Sequence, residues 1–474
     1  MRTLRTPSAR PLLTAALAAL LAGCAVGPDF VRPAMTLPAA YGEAPDWQPA
    51  TPGDARARGS WWQVFNDPEL DALEAKVEVS NQNLRAAVAK YDQAQALAAQ
   101  SRAAYWPTVD ASAGQKRGQS SNASGVQTVI SAQATAAWEL DLWGRIRRTV
   151  ESSEATAQAS LADLENVRLS LQAQLAQDYF LLRVADANIR LLDETVAAYA
   201  KSLELTRNRY AAGVVTRADV AAAETQLAAA QAQWVDAGIG RAQLEHAIAV
   251  LAGSAPSDLN VTARETLPTA QTVPQIPAYL PAQLLERRPD IAGAERRAAA
   301  ANAQIGVAIA AFYPALSIDA SGGFINTSWA NLLSAPSRIW AIGPTLAATL
   351  FSGGARIAAT DAARANFEQT AAQYRQTVLS ALQEVEDNLV ALRLLESEAD
   401  LQAEAVRAAR QTLDLTTNQY KAGTQSYLAV IVVQAALLNA QSTELNIRGR
   451  QLIANVTLIR ALGGGWQAPT AWQR

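Results

Sequence analysis

The sequence predicts a mostly helical chain with a smaller β component, in which long coiled-coil hairpins alternate with β-hairpins. Three observations predict this class. Neither glycine nor proline occurs over 145–212 or over 355–422, 68 residues in each case. At ~1.5 Å per residue each helix would run roughly 100 Å, too long for the interior of an ordinary globular domain. Apolar residues in these stretches recur every seven positions, as in Leu175, Leu182, Ile189, Val196, Leu203 and Tyr210. The second stretch repeats the pattern with Val378, Val385, Leu392, Ala399, Val406, Leu413 and Tyr420. A seven-residue period sustained over this length is a coiled-coil seam. Finally, the chain repeats itself: "LELTRNRYAAGVVT" at 203–216 returns as "LDLTTNQYKAGTQS" at 413–426, an offset of 210.

The N-terminal 1–23 reads as a secretory signal peptide, with Arg2, Arg5 and Arg10 before a short apolar run at 12–22. That run is about half of the ~20 residues that span a bilayer. Leu21-Ala22-Gly23-Cys24 resembles a bacterial lipobox. The resemblance implies cleavage before Cys24, lipid on its sulfur and its new amino group, and, with Ala25 next to it, sorting to an outer membrane. Cys24 is the only cysteine of the 474 residues, which rules out an internal disulfide and a CxxC pair.

After an extended segment at 24–66, the first repeat spans 67–253. It contains a helix, a β-hairpin at 105–141, the long helix at 145–212 and a return helix at 216–251. A proline-rich linker at 254–280 leads to the second repeat, 281–462, with a helix, a β-hairpin at 313–352, the long helix at 355–422 and a return helix at 426–462. Residues 463–474 form a tail. Gly213 and Gly423 follow the long helices, where glycine takes the left-handed conformation that ends a helix. Thr216-Arg217-Ala218-Asp219 fits a capping box at the start of the first return helix.

Within the two β-hairpins the period changes to two. Val109, Ala111 and Ala113 alternate with Thr108, Asp110 and Ser112. Ile130, Ala132, Ala134, Ala136, Trp138 and Leu140 oppose Ser131, Gln133, Thr135 and Glu139. Leu316, Ile318 and Ala320 alternate with Ser317, Asp319 and Ser321, and Trp340, Ile342, Leu346 and Leu350 with small residues, Thr345 and Thr349. Such strands have one apolar and one polar face. A soluble sheet with one wet face fits that pattern, and so does a barrel wall in an outer membrane, with Trp138 and Trp340 as interface aromatics. Secretion and lipidation favour the barrel. Four strands cannot close one, and open edges are forbidden in lipid, so the chain would assemble with copies of itself.

Composition argues against chemistry. One His, one Cys and two Met leave few transition-metal ligands, and the net charge of −3 gives no bulk attraction to nucleic acid. His246 stands alone in a helical pattern and reads as structural. There is no nucleophile motif, no phosphate-binding glycine loop and no HExxH, so no enzyme activity and no cofactor are expected.

The stretches "CAVGPDFVRP" at 24–33, "WWQVFNDPELDALEA" at 61–75, "RRPDIAGAERRAAAANAQIGVAIAAFYPALSI" at 287–318, "TLFSGGARI" at 349–357 and "ALQEVEDNL" at 381–389 resemble the outer membrane factors. In particular they resemble lipoprotein channels of the OprM/NodT kind, relatives of TolC. The resemblance covers essentially the whole mature chain. It implies a homotrimer with a twelve-stranded outer-membrane β-barrel and a twelve-helix periplasmic α-barrel, in which 24–66, 254–280 and the tail are equatorial. It also implies a passive exit duct of a tripartite efflux pump, docked through a periplasmic adaptor to an inner-membrane transporter of the resistance-nodulation-division type. The same resemblance places Gly213 and Gly423 at adaptor-docking tips and Asp219 at an acidic constriction. Asp219 also fits the capping box, and the residues alone leave both roles open. Ala429 and Val432 stand where TolC-like tips carry aspartates, so a second acidic ring is missing.

Two rivals remain at this stage. A duct for type I protein secretion keeps the architecture and changes the cargo. A lipid-anchored periplasmic coiled-coil scaffold or adaptor without a pore explains the heptads and Cys24, but not two matched pairs of alternating strands. The lipobox reading is tested directly: Cys24→Ser blocks lipid labelling and leaves a mis-sorted precursor. Unchanged maturation and labelling of that variant would overturn it.

Overall fold

The computed structural model describes residues 25–37, 41–42, 60–119, 125–263 and 287–464. The signal peptide, Cys24, most of the 254–280 linker, residues 281–286 and the tail from 465 lie outside the described residues. In chain order the elements are α1 (Pro68–Ser80), α2 (Gln82–Ala103), β1 (Thr108–Gly118), β2 (Gln127–Leu140), α3 (Arg145–Ala211) and α4 (Arg217–Leu251). They continue with α5 (Pro289–Ala310), β3 (Ala315–Asn326), β4 (Arg338–Ala347), α6 (Ala355–Lys421) and α7 (Tyr427–Ala461). Both long helices, α3 and α6, have 67 residues. The chain divides into two compact units.

The first unit, described over 25–35, Lys90–Leu161 and Gly293–Gln376, contains the sheet. Its four strands are antiparallel in the order β1-β2-β3-β4, so the two hairpins join through β2 and β3 into one surface. Residues opposite each other in a ladder share a face. The register aligns Ala111, Ala134, Gly322 and Trp340 in one row, and Val109, Ala136, Ala320 and Ile342 in the next. The apolar alternations of the four strands therefore merge into one face. Asp110, Thr135, Ser321 and Ala341 form a row on the other. Val109, Trp340, Ile342 and Leu346 remain exposed on the apolar face. β1 and β4 each have one unpaired edge within the chain.

Strand β4 ends at Ala347, earlier than the alternation over 339–350 predicts. Thr349 and Leu350 lie beyond it, where the chain turns into α6. Gly353 and Gly354 both take positive φ there, and Arg356 Nη2 donates to the Thr349 carbonyl at 2.7 Å. The turn uses the last residues of the apparent strand pattern.

Residues 25–32 lie against α3 and α5. Val26 N–H donates to the Trp143 carbonyl at 3.0 Å. Arg148, its side chain 6% exposed, forms ion pairs with Asp29 and Glu151, both at 2.7 Å. Asn302 Nδ2 donates to the Pro28 carbonyl at 2.8 Å, and Arg32 pairs with Glu295 at 2.9 Å. Gly27 and Gly306 allow the backbones to meet: a Cβ on Gly27 would stand 2.5 Å from the Gly306 Cα, and Gly27 has φ +96.

The second unit, described over 41–42, 60–89, 162–263, 287–292 and 377–464, has a single large apolar core. Trp61, Trp62 and Phe65 form a 3-10 turn that packs with Leu70, Leu73 and Val77 of α1. Leu175, Tyr179, Phe180 and Leu182 of α3, Ile248 of α4 and Leu452 and Val456 of α7 complete it. Asp67 caps α1 by accepting from Glu69 N–H at 3.0 Å, with Pro68 in the first turn, and also accepts from the Tyr179 hydroxyl at 2.6 Å. Arg183, 1% exposed at its side chain, is neutralised by Asp186 and Glu69, each at 2.8 Å.

The single helix expected between the start of the first repeat at 67 and the β-hairpin at 105–141 is two helices. Asn81 takes an extended conformation between α1 and α2, and its side chain makes the break specific. Asn81 Nδ2 donates to the Leu251 carbonyl at 2.8 Å, while Oδ1 accepts from Leu84 N–H at 3.0 Å. An asparagine at a helix start satisfies free backbone donors. Nothing in the apolar spacing marks that break.

By length and composition alone, α7 could also cross a membrane, with a mean hydropathy of 1.3 over its most apolar window. Only part of its apolar content is buried within the chain. Leu452 and Val456 are in the main core, and Val430 and Tyr427 are buried at its other end. The same helix carries Glu444, Arg448 and Arg450, each in an ion pair. It is the return arm of a coiled coil.

Glu74, on the core face of α1, is completely buried, and neither carboxylate oxygen has a hydrogen-bond partner. Burial, reinforced by the neighbouring Glu78 and Asp71 carboxylates, pushes it up to about 9. The folded chain keeps this proton at neutral pH, whereas the unfolded chain releases it near 4.5. Stability therefore falls as pH rises between those values, by at most about 1.4 kcal/mol per unit from this one group. Glu74→Leu removes that slope. Thermal unfolding near pH 5 and near pH 8 should show the variant gaining more over the parent at the higher pH; an equal gain at both would refute the burial argument.

Candidate functional site at the two helix turns

The turns after α3 and α6 end their helices by the same geometry. Gly213 has φ +72 and Gly423 has φ +78. After α3, Gly213 N–H donates to the Tyr210 carbonyl at 2.9 Å and Val214 N–H to the Arg209 carbonyl at 2.9 Å. After α6, Gly423 N–H donates to the Tyr420 carbonyl and Thr424 N–H to the Gln419 carbonyl, both at 3.0 Å. This is the Schellman pattern, which satisfies the carbonyls at a helix end and requires a left-handed residue. A Cβ on Gly213 would meet nothing within 4 Å, and one on Gly423 only Arg209 Nη2 at 3.8 Å. Both glycines thus face open space within the chain.

The starts of the return helices differ. Thr216 and Asp219 form a complete capping box: Thr216 N–H donates to Asp219 Oδ2 at 2.9 Å, and Asp219 N–H to Thr216 Oγ1 at 3.3 Å. The Thr216 hydroxyl donates to the same carboxylate at 2.8 Å. Asp219 is partly exposed and binds its own helix start. Ser426 makes no such bond before α7. Instead Tyr427 inserts, packing its ring 5.4 Å from that of Tyr420 and donating its hydroxyl to Ser202 Oγ at 3.2 Å. Burial raises the Tyr427 phenol above its ordinary range. Ala429 follows one turn into α7, and Val432 is exposed.

Arg209, which the sequence reading did not single out, joins the turns through Tyr420, the last position of the second seam. Arg209 Nη1 donates to the carbonyls of Tyr420 at 2.7 Å and Lys421 at 3.0 Å, while its guanidinium lies 4.6 Å from the Tyr420 ring centroid. A cation on the carbonyls at a helix C-terminus, stacked on an aromatic ring, is favourable twice over. Tyr420 is buried against Leu203, Val220, Tyr427 and Val430, its hydroxyl 3.3 Å from that of Thr206. The repeat held the signal for this: at offset 210 Tyr210 matches Tyr420, but Arg209 matches Gln419.

Of the predicted site residues, Gly213 and Asp219 share the first turn, Gly423 marks the second, and Arg209 links the two. Cys24 lies outside the described residues. Along α3, α4 and α7 runs a cavity of about 720 Å³, lined by Tyr199, Gln226, Ala230, Ile431 and Leu438, with Asp236 its only charged residue. Among the described residues no group of three or more His, Cys, Asp or Glu could hold a metal ion.

A family model described as outer membrane efflux protein matches residues 74–254 and 280–464. The probable efflux pump outer membrane protein TtgC of Pseudomonas putida KT2440 is 32% identical over 471 residues, 97% of each chain. The cation efflux system protein CusC of Escherichia coli is 28% identical, over 96% of this chain and 99% of its own. Among solved structures, the outer-membrane channel OprN superposes with a TM-score of 0.86 at 30% identity, over 94% of this chain and 100% of that one. The open state of the Neisseria gonorrhoeae MtrE outer membrane channel gives 0.83 at 27% identity, over 94% and 100%.

Proposed function

The chain belongs to the outer membrane efflux protein family, and from that premise we propose how its sheet and its turns serve the exit duct of a tripartite efflux pump. The duct is passive and is not an enzyme; the fold is that of the TolC-like outer membrane channels. Its partners in such a pump are a periplasmic adaptor and an inner-membrane transporter, which supplies the energy.

The observation that carries the reading is the four-stranded sheet with a continuous apolar face and unpaired edges at β1 and β4. In lipid those edges need partners, and a membrane barrel needs at least eight strands. Three copies closing edge to edge give twelve strands, with the apolar face towards lipid and the row of Asp110, Thr135 and Ser321 towards water. Lipid on Cys24 adds a second hold on the outer membrane. The two repeats, 67–253 and 281–462, supply equivalent portions of the helical wall, and α3 and α6 reach from it to the turns.

In this reading Gly213 and Gly423 are the tips that meet the adaptor. Both present backbone without a side chain to open space, which suits a close tip-to-tip contact. Asp219 supplies a carboxylate at the entrance besides capping α4, and Ala429 and Val432 leave the second turn apolar. A duct of this kind passes small molecules that the transporter has already selected.

Single-particle images of the detergent-purified protein should show a three-fold hollow particle; a solid or monomeric rod would overturn the duct. Gly423→Trp should keep that particle and abolish efflux in cells, because a bulky side chain on a left-handed backbone obstructs the tip. Normal efflux by this variant would remove the docking role.

A further inference from the structure

The arginines at the two ends of the sheet differ in what holds them. At the end that joins the helices the protein itself supplies the partners: Arg102 pairs with Glu154 at 2.7 Å, Arg145 with Glu139 at 2.6 Å and Arg147 with Asp141 at 3.4 Å. Arg356 donates to the carbonyls of Thr349 and Ala311. At the far end stand Arg117 on β1 and Arg338 on β4. Both are exposed, and neither side chain has an ion pair or hydrogen bond among the described residues. The register puts both on the apolar face. Arg338 pairs with Phe324, in the row of Ala132 and Ala113. Arg117 follows Ala113 by four residues on the same strand, so its side chain leaves from the same side. From that row to the row of Leu140 and Leu316, eight residues along the strand, the face carries no charge. That is about 26 Å of strand, which at the usual tilt fills most of an outer-membrane apolar band of about 25 Å.

The connection between β3 and β4 completes this rim. Trp329 Nε1 donates to Gln115 Oε1 at 3.0 Å, and Gln115 stands on the apolar face between Ala113 and Arg117. The connection is thereby drawn over that face. Ile130, opposite Gln115, is 1% exposed, whereas Trp329 and Leu333 are 60% and 75% exposed.

We propose that Arg117 and Arg338 bind phosphate groups of lipid headgroups in the leaflet farther from the helices, with Trp329 and Leu333 set among those lipids. The proposal rests on the duct reading, which turns this face to lipid. A cation at the edge of hydrocarbon is costly unless it reaches an anion. Beyond the apolar rows the described residues on this face are Gln115, Ile130, Asn326, Arg117 and Thr128, none of them acidic, so the anion comes from outside the chain. A guanidinium presents a planar fork of donors that matches phosphate oxygens. A phosphate monoester, with close to two negative charges, suits an unpaired arginine better than the singly charged diester of an ordinary phospholipid. An indole with one polar edge belongs at the same boundary between hydrocarbon and headgroups. Lys116, which pairs with Val129, leaves from the opposite face and takes no part. The two ends of the sheet therefore treat the two leaflets differently. The arginines near the helices are already neutralised by carboxylates or carbonyls and ask nothing of the lipid, whereas those at the far end select anionic headgroups.

The test uses the full chain purified in detergent, with native mass spectrometry measuring retention of lipid A, whose sugar headgroup carries phosphate monoesters, against its dephosphorylated form. The parent should retain the phosphorylated lipid selectively. Arg117→Gln and Arg338→Gln combined should weaken that retention roughly tenfold, and Lys116→Gln should leave it unchanged. Equal retention of the two lipids, parent-like binding by the double variant, or an equal loss in Lys116→Gln would overturn the proposal. Inorganic phosphate is the second probe. Failure of millimolar phosphate to displace the lipid supports a lipid site; full displacement marks a site for a free anion and overturns the lipid assignment. The same spectra count the copies in each particle. A monomer overturns the duct reading, and an oligomer without selective retention overturns the arginine sites alone.

Discussion

The backbone groups on the free edges of β1 and β4 govern the rest of the molecule. In water an exposed strand edge is tolerable, because solvent pairs with it. In hydrocarbon each unpaired N–H or C=O costs several kcal/mol, so a four-stranded sheet with an apolar face cannot stand alone there. In the proposed duct copies of the same chain satisfy the edges, and every element connected to the sheet would inherit the ring's symmetry. The internal repeat is the sequence expression of that demand. Each copy contributes two near-equivalent sectors, so the same heptad seam, the same Schellman turn and the same strand alternation serve twice.

Near-equivalence matters as much as repetition. Identical sectors would make every joint alike. Here the halves diverge at positions that decide how the turns behave: an arginine against a glutamine at 209 and 419, an arginine against a tyrosine at 217 and 427, and a capping box in one turn only. All of these differences occur at helix ends, outside the heptad seams.

What the sequence made legible follows from local physics. The long helices needed only the absence of glycine and proline and a steady seven-residue period; the ends needed glycine; the capping box needed four consecutive residues. The strand faces were readable because period two is a local signal, and the register then merged them across four strands. What escaped was decided by distant partners. The break at Asn81 depends on a carbonyl at Leu251, and the early end of β4 on Arg356 folding back to Thr349. Glu74 reads as an ordinary solvated charge until tertiary packing seals the core face of α1. Arg209 was hidden for a similar reason: in its own helix it is a routine C-terminal cation, and only the second turn makes it a link.

The N-terminal segment has a consequence for how the molecule sits in its bilayer. Val26 is hydrogen-bonded to Trp143, three residues past the end of β2, and Gly27 is locked against Gly306. In the proposed duct, the residues that follow an acylated Cys24 are thus held beside the junction of β2 and α3. Most lipid anchors work as leashes, letting a soluble body drift above the membrane. This one would work as a depth gauge. By tying the sheet to the leaflet that takes up the acyl chains, it would resist vertical slippage of the proposed barrel.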